Sequence, residues 1–449
     1  MRVILNKPIL LSELASVCDA ELCTDDAPIR AICTSTKELF PKDLFVALSG
    51  EKYDGEDFVE EALSRNAYVL AKGKRASLSV GCTRTALLKI ANDHKRKMPL
   101  LKCTVAITGS VGKTSVKEFT KRILSEHFCV HATDKNFNNE IGVALTLLTT
   151  PKNAEILICE LGMNHLGEID TLTKAVEPDI AVITNVGNAH VGNLGSRENI
   201  AKAKLEIANS KKLFALLVPQ GEQLLEGAPF RITVSTRDRS SFFFLSPTEV
   251  YEHGSRFDFY TDGKQLLSAE IKIPGRHILS SLAYAISISY MLGVSKEEIL
   301  AAIEKMDQGM QRQRLLTVGR YRIYDDTYSS SPEAVVAIAD MLSLGGEQCS
   351  AVLGDMLELG EKSAELHKLV GKRIYEKGFK RLYTYGDHAR YIAEGAISAG
   401  MDEKNVFINS DGKNVEYTVA QIEKSYAGEI LLIKGSHALG MEGIIKALK

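Results

Sequence analysis

The run VAITGSVGKTSVKEF places Gly109, Ser110, Gly112, Lys113, Thr114 and Ser115 between an apolar strand-like segment and a helix-like one. A glycine-containing turn at such a junction aims free backbone N–H groups, and the positive end of the helix, at one point where a phosphate can sit. Lys113 can neutralise β- and γ-phosphates, and Thr114 carries the hydroxyl that such loops place on Mg²⁺. The commonest form of the motif has a glycine five residues before Gly112, where this chain has Ile107. An ordinary strand-to-helix turn with an exposed lysine is the plain alternative, and the flanking strand and helix favour nucleotide binding over it. The loop alone does not separate a kinase, an ATPase, a GTPase and a ligase.

Further chemistry follows the next two strands. Glu160 closes EILICE and His190 comes a short loop after IAVIT, so in a parallel sheet both would project near the phosphate loop. Glutamate is a hard oxygen ligand suited to Mg²⁺, whereas histidine is an unusual one and, read alone, is a loop or capping residue. SRENIAKAKLEIAN reads as a helix opening near Ser196 and carrying Lys202 and Lys204. On spacing alone those lysines form a solvated basic face.

The elements that must hold these residues form an α/β chain. VAIT, ILICE and IAVIT are apolar, β-branched runs, each followed by a loop and a helical pattern, as in a buried parallel sheet. Between Phe214 and Ile273 the text is strand-rich, which fits a β insertion or a sheet edge, and GRHILSSLAYAISISYML then gives a strong helix. From Ile29 to Leu70 a smaller alternation includes the helical stretch EDFVEEALSRN, and the polar run NDHKRKMP reads as its end. A third alternation begins near Leu315 with YRIYDD and closes on EILLIKG and a short helix.

Three α/β domains are therefore expected. Residues 1–99 form a small N-terminal unit, 100–314 a central doubly wound, mostly parallel sheet with the phosphate loop, and 315–449 a Rossmann-like unit. A chain of 449 residues agrees, since domains run to roughly 150 residues. With 55 Lys and Arg against 57 Asp and Glu, no global field favours nucleic acid or an anionic membrane. The eight cysteines are scattered without a CxxC pair and read as reduced residues of a cytosolic chain. The N-terminus lacks the pattern of a signal peptide, and no window is long enough to insert in a membrane.

In order, the blocks TGSVGKTSVKE, NFNNEIGVALTLL, ELGMNHLGEID, ITNVGNAHVGNLGSRENIAKAKLEI, DDTYSSSPEAV, GDMLELGEKS and KGSHALGMEGI resemble the Mur ligase family across nearly the whole chain. Its dipeptide-adding branch is the nearest. The resemblance implies a cytoplasmic, monomeric ligase of cell-wall peptide assembly, which uses ATP and two Mg²⁺ ions. Its implied partners are UDP-N-acetylmuramoyl-tripeptide and D-alanyl-D-alanine, joined through an acyl phosphate. Gly109, Ser110, Gly112, Lys113, Thr114, Ser115 and Asn139 would then bind ATP, joined by Arg314 and Asp326 when the third domain closes. Thr114, Glu160 and His190 match metal ligands, and Lys204 matches a lysine that the family carbamylates, which reverses the solvated-face reading. Lys113, Glu160, His190, Lys204 and Arg314 are the implied catalytic set, and Ser35, Thr36, Asn164, His165 and Asp355 the implied substrate contacts.

Several positions depart from the family pattern. Ile278 and Ser281 stand where asparagines are usual, Ser329 and Ser331 where Asn is common, and His437 where Arg is common. In the first domain Ser35 and Lys37 replace a usual Asp and Arg. Two rivals remain at this stage. One is the neighbouring ligase that adds the third amino acid, against which the chain has no DNPR block. The other is a nucleotide-binding regulatory homologue without ligase activity.

Overall fold

The computed structural model describes residues 1–449 except 51–52, 74, 252–253, 307–313 and 410–412, and except the side chains of Asn6 and Arg314. Three sheets organise the chain. The first orders its strands Arg2–Leu10, Pro28–Cys33, Leu44–Val46, Tyr68–Ala71, Leu78–Ser79 and Glu21–Leu22. Its four middle strands are parallel, and both edges are antiparallel.

The second sheet has nine strands. From Phe243–Tyr251 through Arg231–Ser235, Ala215–Pro219, Ile180–Ile183, Cys103–Thr108 and Ile156–Glu160 to Val130–Ala132 every pair is parallel. Gly254–Thr261 and Lys264–Ile271 then add an antiparallel edge, which is the β-rich stretch expected from the sequence. Burial on both faces explains the unbroken apolar runs. Val105 and Ile107 pack with Val116, Phe119 and helix Arg276–Met291 on one side, while Ala106, Leu157 and Cys159 pack with Val143, Leu147 and Ile169 on the other.

Cys103–Thr108 lies between Ile156–Glu160 on one side and Ile180–Ile183 on the other. The chain therefore lays strands Val130–Ala132 and Ile156–Glu160 on one side of this strand before crossing to Ile180–Ile183 on the other, and the crevice at the carboxyl end of such a switch point is where open α/β sheets bind ligands. Ile107, which replaces the usual glycine, is a fully buried strand residue in register with Glu160 and Val182, so the phosphate turn starts only at Gly109.

The third sheet orders Arg314–Val318, Tyr321–Asp326, Ile430–Lys434, Cys349–Gly354, Leu382–Tyr385 and Val406–Ile408, parallel except at its first strand. Arg314 is the first residue of that sheet, opposite Asp325.

The polar run read as the end of the first unit closes helix Thr83–Arg96, and its charges are engaged with the central unit. Arg96 Nε donates to Glu177 Oε2 at 2.9 Å, and Asn92 and Lys95 also bond around Glu177. The N-terminal residues form strand Arg2–Leu10, paired with Pro28–Cys33, and helix Leu11–Cys18. No helix among the described residues is long and apolar enough to cross a membrane, and all eight cysteines are free.

Candidate active site

The phosphate loop needs glycine twice. Gly109 has φ 151°, and a Cβ there would lie 1.9 Å from Thr184 Oγ1. Gly112 takes the left-handed conformation, φ 84°, and turns the chain into helix Lys113–Leu124. Asn185, two residues beyond strand Ile180–Ile183, braces the turn. Its Oδ1 accepts the N–H groups of Ser110 and Val111, both at 3.0 Å, and its Nδ2 donates to Val111 O at 3.0 Å. Ser110 Oγ accepts the Gly187 N–H at 2.9 Å, and Lys113 Nζ lies over the turn, donating to Gly109 O at 2.7 Å.

Parallel pairing sets Glu160 beside the loop. It ends its strand 3% exposed, and Thr114 Oγ1 donates to its Oε2 at 2.8 Å. Asn138 Nδ2 donates to the other oxygen at 2.9 Å. The Asn138–Asn139 pair thus divides its work: Asn138 lines the cleft, whereas Asn139 accepts the Gly142 N–H at 2.9 Å and caps helix Glu140–Leu148. Nucleotide contact was expected of Asn139, but its side-chain oxygen is committed to the cap.

Lys204 is 1% exposed on helix Arg197–Leu205 and forms no ion pair among the described residues. Burial first, and then the Lys113 ammonium, push its pKa well below the ordinary lysine range, which favours the neutral amine. This is the opposite of a solvated basic face. His190 has a left-handed backbone, φ 67°, and its Nδ1 meets the carboxylate of Glu358 from the third sheet's side. That contact holds the Glu358 carboxyl below the usual range, against the upward push of burial.

Most of these groups, though not Gly109, Asn139 or Lys204, line a cleft of about 1600 Å³, larger than the roughly 300–1,000 Å³ typical of a single small ligand. Ser110, Gly112, Lys113, Thr114, Ser115, Glu160, His190 and Asp326 line it, together with the departing residues Ile278, Ser281, Ser329 and Ser331. Ser331 also caps helix Pro332–Leu344 through the Ala334 N–H, and His437 stacks on Tyr328 at 5.8 Å. Asp326 accepts from Lys434 Nζ at 2.5 Å across adjacent parallel strands. The Arg314 side chain lies outside the described residues.

The expected substrate residues are not among those lining this cleft. Thr36 is buried in the first unit, where its hydroxyl donates to Glu61 at 3.1 Å, and Ser35 precedes it. Asn164 and His165 are exposed after strand Ile156–Glu160, with His165 near enough to Glu358 to favour its ionised form. Asp355 accepts three backbone N–H groups, from Asp387, His388 and Ala389, so its carboxylate holds a loop.

Sequence reasoning passed over Asn138, Asn185, Glu333 and Lys434. Asn185 was the most accessible of these, because residues just beyond the carboxyl end of a parallel strand are where such sheets place ligand contacts.

Residues 107–289 match the Mur ligase middle domain, and residues 310–437 match the Mur ligase glutamate ligase domain. The UDP-N-acetylmuramoyl-tripeptide--D-alanyl-D-alanine ligase of Bacillus subtilis is 32% identical over 94% of this chain and 93% of its own. The chain belongs to the Mur ligase family. A crystal structure of MurF from Acinetobacter baumannii superposes with a TM-score of 0.87 at 27% identity, covering 99% of both chains. MurF ligase from Thermotoga maritima, solved in complex with ADP, gives 0.81 at 27% identity over 93% of this chain and 96% of that one. The α/β class and the family expected from the sequence are both borne out.

Proposed function

We propose that this chain joins D-alanyl-D-alanine to the terminal carboxylate of UDP-N-acetylmuramoyl-tripeptide at the expense of ATP. The observation that carries the reading is the bond between Thr114 and buried Glu160 beside the Gly109–Thr114 turn, in a chain that is a Mur ligase. In this reading the tripeptide carboxylate attacks the γ-phosphorus in line, the bond to the β-phosphate oxygen breaks, and ADP leaves. The amine of the dipeptide then attacks the acyl phosphate carbonyl, a proton is lost from nitrogen, and phosphate departs. No covalent enzyme intermediate is needed.

The protein's work is positioning and charge neutralisation. Lys113 and the loop amides hold the phosphates, and Arg314 and Asp326 approach the nucleotide from the third unit. Ser35 and Thr36 hold the uridine-diphosphate end, Asn164 and His165 contact the peptide, and Asp355 shapes the loop that faces the incoming dipeptide.

The donor set suits a hard cation, because a hydroxyl and a buried carboxylate stand 2.8 Å apart. Three His, Cys, Asp or Glu side chains do not gather at one point among the described residues, so side chains alone leave the shell incomplete. A carbamate on Lys204, formed by its neutral amine and CO₂ with loss of a proton, would add oxygens where the structure has a buried amine without an ion-pair partner among the described residues. Two Mg²⁺ ions held by Thr114, Glu160, His190 and carbamylated Lys204 would supply neutralising charge at the transferring phosphoryl group.

The test is phosphate release from ATP, Mg²⁺ and the UDP-linked tripeptide, with and without D-alanyl-D-alanine. Release that requires the dipeptide is expected. Release indifferent to it would sink the reading and favour a nucleotide-binding homologue.

A further inference from the structure

Glu358 lies on the third unit yet reaches the histidine side of the central cleft. The segment that carries it, Gly354–Gly360, leaves the carboxyl end of strand Cys349–Gly354 and is fastened to its own unit along most of its length. Asp355 is bonded by three amides of the 387–389 turn, and its carbonyl accepts from Ser436 Oγ at 3.2 Å. The Met356 N–H donates to His367 Nε2 at 3.0 Å, while His367 Nδ1 is bonded to Ser363 O at 2.7 Å. His367 is fully buried, and that pair of bonds fixes its tautomer. Met356 and Leu359 are each 2% exposed, so apolar packing holds the segment as well.

The tip of the segment meets the central unit. Glu358 O accepts the Gly192 N–H at 2.9 Å, and the Glu358 carboxylate meets His190 Nδ1. Gly192 and Gly360 touch backbone to backbone. A Cβ on Gly192 would lie 2.5 Å from Gly360 N and 2.8 Å from Glu358 O, and one on Gly360 would lie 2.6 Å from Gly192 Cα. Gly192 belongs to the short helix Val191–Leu194, and it is not among the residues with positive φ. Its backbone would accept alanine, so the need for glycine comes from the neighbouring unit alone. A second contact lies close by, where Glu333 Oε1 accepts both the N–H and the Nδ2 of Asn188 at 2.9 Å.

We propose that Gly354–Gly360 is a docking arm through which the third unit closes on the central one, and that Glu358 is a positioning residue acting through His190. The rigid base carries the tip as one piece, and the paired glycines let it approach closely enough for Glu358 to set the ring. The positioning half rests on the ligase reading, whereas the docking half does not.

The test uses the full chain. Small-angle scattering without nucleotide should give a larger radius of gyration for Gly192→Ala than for wild type, with Asn193→Ala on the same short helix as control. In the ligase assay, Gly192→Ala and Glu358→Gln should each lower kcat by up to roughly a hundredfold, the scale on which a small misplacement of a positioned group acts. KM for ATP should hold, and Glu358→Asp should restore part of the loss. An unchanged radius in Gly192→Ala overturns the docking arm. Wild-type kcat in Glu358→Gln, or no recovery in Glu358→Asp, overturns the positioning role. If the wild-type chain ligates nothing, the ligase reading fails while the scattering comparison still decides the arm.

Discussion

Lys204 and Lys434 are equally buried, each 1% exposed, yet their surroundings differ: Lys434 lines the cleft, whereas Lys204 sits on helix Arg197–Leu205 and is not among the residues lining it. Lys434 donates to Asp326 Oδ2 and Ser329 O, both at 2.5 Å, so its charge is compensated. Lys204 has no ion-pair partner among the described residues, and its nearest charge effect is repulsion from Lys113. Burying an ammonium without a partner is costly, and the group responds by losing its proton. The third sheet thus spends its polar groups on its own rigidity, whereas the nine-stranded sheet leaves one unspent where chemistry is proposed. The contrast assigns Lys434 to architecture and Lys204 to the reaction.

The largest expected effect separates the two lysines by activity. Lys204→Ala should lose roughly 10²–10³-fold in kcat, the scale seen when one group that stabilises developing charge is removed. A short carboxylic acid added to the assay should restore part of it. Turnover at the wild-type rate would dissolve the contrast.

Stability should respond the other way round. Asp326→Ala strands Lys434 in the interior and should cost about 3–5 kcal/mol in denaturant unfolding. Lys204→Met, which removes a buried uncompensated amine while keeping its volume, should leave stability unchanged or raise it by about 1 kcal/mol. A clear loss of stability in Lys204→Met would show that Lys204 is structural after all.

The smallest effect concerns Glu177, which joins the first unit to the central one. Hydrogen bonding by Arg96, helped by Asn92 and lysines 212 and 95, lowers its pKa from 4.5 to about 2. A carboxylate with a depressed folded-state pKa stabilises fully above its unfolded value, and that stability is lost as pH falls from about 4.5 towards 2. Melting curves of Glu177→Gln should therefore lack part of the wild-type decline across that window and should match its slope at neutral pH. Identical acid limbs would remove Glu177 from the account.

The parts of the fold legible in the sequence were those written in local pattern. The apolar runs ending at Thr108, Glu160 and Ile183 announced a parallel sheet, and Gly109 and Gly112 announced the turn above it. The contacts made by the polar run at 92–96 were not legible, because Glu177, some eighty residues later, is brought beside it only by the fold. The same limit hid Asn185, whose bracing of Ser110 depends on strand order, and Lys434, whose partner Asp326 lies over a hundred residues away in sequence. Lys204 shows the limit most plainly. Its helix reads as a basic face by spacing, and only tertiary burial turns that charge inward.

The central claim is that the cleft beside Glu160 makes an acyl phosphate. The most direct measurement labels both oxygens of the tripeptide's terminal carboxylate with ¹⁸O and follows the label during turnover with ATP and D-alanyl-D-alanine. The account predicts one ¹⁸O in each phosphate released, because the oxygen that attacked phosphorus leaves with it. Phosphate without label, alongside amide product, would contradict the account.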